Sequence, residues 1–107
     1  MGMTAYLIVR SNVPNPDDRP LFDAWYQKEH LPDAHKDLGV ARAWRAWGTT
    51  DPSIHCAFYE FPDVKAAEQA TAPEAIRHLI KEYDRVWGTR VTRTREIISV
   101  VQSMEKI

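Results

Sequence analysis

Apolar positions recur at three- and four-residue spacing in two stretches and crowd into short runs elsewhere. Leu21, Phe22, Trp25, Tyr26 and Glu29 share one helical face. Asp17 and Asp18 are N-cap candidates, and Pro20 suits a first turn. Pro32 disfavours helical geometry at Leu31, so the spacing predicts a helix ending there. His30 then falls in the last turn, where an imidazolium is favoured by the helix dipole. The second stretch follows a short helical piece, Val64 to Ala70. Thr71-Ala72-Pro73-Glu74 reads as a capping box with a first-turn proline. The helix it opens buries Ile76, Leu79, Ile80, Tyr83, Val86 and Trp87, and Gly88 is placed to end it.

Four runs read as strands. Ala5 to Arg10 is nearly continuously apolar, as a strand covered on both faces would be. Val40 to Thr49 sets Arg42 and Trp44 against Ala43, Arg45 and Trp47. Gly48-Thr49-Thr50-Asp51-Pro52 makes a hairpin turn. Ser53 to Phe61 puts His55, Ala57, Tyr59 and Phe61 on one face and Ile54, Cys56, Phe58 and Glu60 on the other. Thr89 to Val101 alternates threonine with arginine before Ile97 and Ile98. Between the first helix and the second strand, Asp33 to Gly39 reads as a polar connection.

The order β-α-β-β-α-β with a central hairpin defines an α+β class. Right-handed crossovers give a ferredoxin-like, four-stranded antiparallel sheet with both helices on one side. Helices on one side leave the other side's apolar residues uncovered, and self-association is the expected cover. The long last strand also suggests pairing with a second subunit.

Composition narrows the functional classes. The 107 residues suit one domain, 1–107, and 44% hydrophobic with 27% charged residues is ordinary for a globular chain. A net charge of −1 gives no electrostatic case for nucleic acid or an anionic membrane. Cys56 is the only cysteine, which excludes an internal disulfide and a multi-cysteine zinc site. Residues 1–6 lack a basic region followed by a long apolar run, and no apolar run is long enough to span a bilayer. The cytoplasm is the expected compartment, by elimination.

At this point the residues carry a resemblance. Trp25-Tyr26-Gln27-Lys28-Glu29-His30-Leu31-Pro32 resembles the aromatic-Tyr-x-x-Glu-His-Leu-Pro segment of the dimeric α/β-barrel superfamily, in its EthD-like and stress-responsive branches. Ala57-Phe58-Tyr59-Glu60-Phe61 is a weaker match, and the element order agrees over essentially the whole chain. The resemblance implies a homodimer whose two sheets face each other as a barrel, with a pocket in each subunit between sheet and helices. It leaves the activity open, because the superfamily includes cyclases, isomerases, cofactor-free monooxygenases, haem proteins and members with no known reaction.

The candidate chemistry is proton transfer without a cofactor. His30 is the acid/base candidate, since histidine titrates near neutral pH. Tyr26 and Glu29 are its candidate partners, with a tyrosine donating to an enolate. Trp25, His55, Tyr59 and Trp87 are candidate walls for a small hydrophobic carbonyl or aromatic compound. Each of these residues also suits plain packing, with His30 as a cap and Glu29 solvated. The alternative function is a non-catalytic ligand-binding or stress-associated dimer. The arginines Arg42, Arg45, Arg90, Arg93 and Arg95 suit either a carboxylate ligand or the protection of a sheet edge. His35 and His78 read as surface residues. No Gly-rich phosphate loop, nucleophile elbow or His-Glu-x-x-His pair occurs, and the scattered histidines favour no metal. His30 or His55 could ligate a haem, but nothing in the sequence selects for one.

Overall fold

A computed structural model describes residues 4–105. Residues 1–3, part of the stretch read above for a leader, lie outside them. The elements run β1 (Ala5–Asn12), α1 (Arg19–Trp25), α2 (Leu31–Leu38), β2 (Arg42–Trp47), β3 (Ile54–Phe61), α3 (Val64–Ala70), α4 (Pro73–Trp87) and β4 (Thr92–Ser99). The four strands form one antiparallel sheet in the order β2-β3-β1-β4. That is the ferredoxin-like arrangement expected from the element order.

The register explains the layers. Leu7 pairs with Tyr59 and Ile97, Val9 with Ala57 and Arg95, and Ser11 with His55 and Arg93. These residues share the face under the helices, where Ala5, Leu7, Val9, Ala57, Tyr59 and Phe61 are buried. They meet Phe22, Trp25, Tyr26, Ile76, Leu79, Tyr83 and Trp87 from the helices. Tyr6, Ile8, Trp44, Phe58 and Ile98 lie on the opposite face, which no helix covers. Trp44 stacks on Phe58 at 5.3 Å and meets the edge of Tyr6 at 5.5 Å.

Three local expectations are corrected. The first helix does not stop at Pro32. A π-helical turn, Tyr26–His30, joins α1 to α2, and the Leu31 N–H reaches the Tyr26 carbonyl five residues back. Pro32 then stands in the first turn of α2, where it has no donor to lose, so the helix runs on to Leu38. The polar stretch 33–38 is therefore helix, and Gly39 closes it with φ 65°.

The second correction concerns caps. Thr71 does not close a capping box: its Oγ1 donates back to the Ala67 carbonyl at 2.8 Å, and Ala72 occupies the N-cap. Asp18 caps nothing with its side chain and instead pairs with Arg90. Asn15 and Asp63 are the side-chain caps, of the turn at Pro16–Asp18 and of α3. Third, the last strand is shorter than expected, because Gly88–Arg90 form a 3-10 turn before it. Its eight residues pair throughout with β1, so its free side is its outer edge.

The β2–β3 hairpin forms where the turn chemistry predicted. Asp51 accepts from the Ser53 N–H at 3.1 Å and the Ser53 hydroxyl at 2.6 Å. Gly48 is needed there, since a Cβ would strike the Asp51 carbonyl.

Candidate functional site

The π turn decides which way the candidate residues face. Tyr26 enters it fully buried and His30 leaves it 8% exposed, both toward the sheet. Glu29, one position before His30, is exposed to solvent. Adjacent helical residues diverge by roughly 100°, so the acid and the histidine need not both face inward, and here only the histidine does.

His30 is held by rings. It stacks on Trp25 at 4.5 Å with an 18° tilt and meets the edges of Tyr26 at 4.8 Å and Tyr83 at 5.6 Å. It makes no hydrogen bond among the described residues and caps no carbonyl. Burial, helped by the positive charge of Arg93, pulls its pKa down to about 4. The expected imidazolium at a helix end is thus corrected to a neutral imidazole inside the fold.

His30 lines a cavity between the sheet and the helices. Leu7, Val9 and Tyr59 form its floor, Ala34 and Leu38 of α2 and Ile76, Leu79, Ile80 and Tyr83 of α4 its walls, and Arg93 and Arg95 its mouth. The cavity measures about 40 Å³, room for roughly three or four waters at about 10–15 Å³ each. Its mouth adjoins a shallow depression of about 480 Å³ that shares Leu7, Arg93 and Arg95 and adds Thr71, Glu96 and Ile97.

The hydroxyls near His30 stay protonated at neutral pH. Tyr83 Oη shares a 2.7 Å hydrogen bond with Ser11 Oγ, and burial pushes its pKa up to about 12. Burial raises that of Tyr59 further, and that of Tyr26 well above the usual phenol range. Tyr26 packs behind His30 without lining the cavity, and its hydroxyl has no hydrogen-bond partner.

The remaining candidates form the support behind this wall. His55 is fully buried against Tyr26 at 4.4 Å, Trp47 at 5.0 Å and Phe22 at 5.1 Å. Burial lowers its pKa to about 4, helped by Arg45. Arg45 Nη1 lies 3.5 Å from His55 Nε2 and donates to Asp23 Oδ1 at 2.7 Å, while Trp47 Nε1 donates to the same oxygen at 2.8 Å. This network ties α1 to β2 and leaves His55 Nδ1 buried without a partner. Trp25 and Trp87 pack around Phe22 and line neither this cavity nor the depression at its mouth.

Of the predicted residues, then, His30 and Tyr59 meet at the cavity. Sequence reasoning read Tyr83 only as core and treated Arg93 and Arg95 as two of five equivalent arginines. The missing signal was register. Only the pairing of β4 with β1 reveals that alternate arginines fall on the helix side. His35 and His78 are exposed, as expected. Among the described residues no three His, Cys, Asp or Glu side chains converge as a metal cluster, and no helix is long and apolar enough to cross a membrane.

The arrangement has relatives among solved structures. An EthD family protein from Bacillus halodurans superposes with a TM-score of 0.70 at 20% identity, covering 92% of this chain and all of that one. A dimeric ferredoxin-like protein from an uncultured marine organism gives 0.66 at 16% identity, covering 95% and 99%. SnoaB, a cofactor-independent oxygenase from Streptomyces nogalater, gives 0.63 at 11% identity, covering 98% and 100%. No family profile matches the chain, and no curated protein matches it in sequence. At these identities the likeness establishes the ferredoxin-like fold, which this chain shares with EthD-type proteins and oxygenases.

Proposed function

We propose that the cavity takes a small hydrophobic carbonyl or aromatic compound and that His30 moves a proton on it, without a cofactor. The observation that carries this reading is the neutral His30 imidazole lining an apolar cavity with no hydrogen bond to its ring among the described residues. Such a base can accept a proton from carbon beside a carbonyl. A protonated Tyr59 or Tyr83 lining the same cavity would donate to the enolate that results. Trp25 and Tyr26 hold the imidazole by ring contact, which makes them positioning residues. The comparison with a cofactor-independent oxygenase supports the class of chemistry by analogy of fold alone.

The protein acts as a homodimer in this reading, with the uncovered sheet face of one copy against that of another. Tyr6, Ile8, Trp44, Phe58 and Ile98 supply that face, and one structural relative is described as dimeric. One observation favours a second reading, a binding dimer without turnover. A histidine with a pKa near 4 is a weak base at neutral pH, and a purely structural ring stack needs nothing more of it.

Thermal-shift screening against small aromatic and carbonyl metabolites should find a compound that raises Tm, because a ligand stabilises the native state by mass action. Turnover of that compound should vanish in His30→Gln while the variant still binds it. Retained turnover excludes His30 as the base, and binding without turnover in the wild type selects the second reading.

A further inference from the structure

The cavity's mouth carries more information about the ligand than its walls do. Arg93 and Arg95 stand on the helix-side face of β4, paired with Ser11 and Val9, where alternation would otherwise place apolar residues such as Ile97. Edge protection calls for cations on an edge strand, but Thr92 and Thr94 on the outer face could have supplied those positions. The two arginines are not equivalent. Arg93 Nη1 donates to Asp84 at 3.0 Å, and its guanidinium lies 3.9 Å over the Tyr83 ring. Arg95 makes no hydrogen bond or ion pair among the described residues, and it borders both the cavity and the depression.

The charge balance at the cavity is one-sided. Its lining includes two guanidinium groups and no carboxylate; Glu96 borders only the depression. His30 registers this field, since Arg93 adds to burial in disfavouring its protonation, with Glu82 opposing.

We propose that the ligand of this cavity is an amphipathic carboxylate, with its hydrocarbon part among Leu7, Leu38, Ile76 and Leu79 and its carboxylate on the Arg95 guanidinium at the mouth. The inference rests on the reading of the cavity as a ligand site and adds the class of ligand. A guanidinium matches the two oxygens of a carboxylate through parallel N–H donors. A phosphate ester fits less well, because its second negative charge would need a second uncommitted cation, and Asp84 already neutralises Arg93.

The test is calorimetric titration with matched acids and amides, phenylacetate against phenylacetamide and cinnamate against cinnamamide. A charge-assisted pair should make each acid bind at least about tenfold more tightly than its amide. Arg95→Gln should erase that difference while leaving the amide's affinity unchanged. Arg77→Gln, an exposed arginine of α4, should leave the preference intact. Equal binding of acid and amide overturns the carboxylate assignment while the cavity keeps its role. A preference that survives Arg95→Gln overturns it too, as does tighter binding of phenyl phosphate than of phenylacetate. Binding of neither acid nor amide overturns both this inference and the site beneath it.

Discussion

Two histidines kept neutral inside the fold make this protein's stability depend on pH. His30 and His55 each have a folded pKa of about 4, against about 6.5 in an unfolded chain. Between those values the unfolded chain binds protons that the folded one refuses, so stability is complete above pH 6.5 and falls as pH drops toward 4. The loss approaches roughly 3 kcal/mol per histidine, and below pH 4 it grows no further from these groups. Urea denaturation at pH 7 and pH 5 should show the drop, and His30→Leu should reduce it by about half. An unchanged drop in that variant would mean that His30 is not buried as described. The residue's identity as the chemical candidate was legible in the chain, from its place after Trp25 and Tyr26. Its charge state was not, because the desolvation that sets it comes from α4 and the sheet, distant in sequence.

At the scale of elements, the π turn between α1 and α2 is the feature that builds the site. A regular α-helix through Pro32 would lose a hydrogen bond and meet a steric clash, at a cost of about 3 kcal/mol. The widened turn places Pro32 instead in a first turn, where its ring fits. Pro32→Ala should therefore change the unfolding free energy by less than about 1 kcal/mol, whereas relief of a strained helix interior would stabilise by the full proline penalty of about 3 kcal/mol. Urea melts separate the two outcomes. Sequence reasoning treated the proline as a stop because a proline disfavours helical geometry at the residue before it, yet Leu31 is helical here, with φ −65° and ψ −44°. It read the amphipathic face of α4 well, since Ile76, Leu79, Tyr83 and Trp87 are all buried there. A long periodic helix states its own inner face, whereas a one-turn irregularity depends on what packs against it.

For the whole molecule, the uncovered sheet face sets the expectation. Phe58 and Trp44 stack there, half-buried, with Tyr6 against them. Sedimentation or light scattering should give twice the chain mass. Phe58→Glu should shift it to the single-chain mass without loss of helical signal, because Phe58 points away from the helix-side core. A wild-type monomer at micromolar concentration would refute the sheet-to-sheet dimer. Within one copy, the element order, the hairpin and the division of β3 into two faces were written into local patterning, whereas which face turns inward was not. His55, Ala57, Tyr59 and Phe61 share one face, as their alternation required, and the structure turns that face toward the helices.

Alternation and helical period are local properties, so the chain alone determined the ferredoxin-like order of elements and the inner face of the long helix α4. Cavities are not local. The meeting of His30 with Tyr59 and Tyr83, the exclusion of Glu29 and the turning of Arg93 and Arg95 toward the same hollow depend on a π turn and on the β1–β4 register. Neither leaves a mark in residue spacing, because both are set by contacts between segments tens of residues apart. Only the tertiary structure decided which of several plausible side chains share one space.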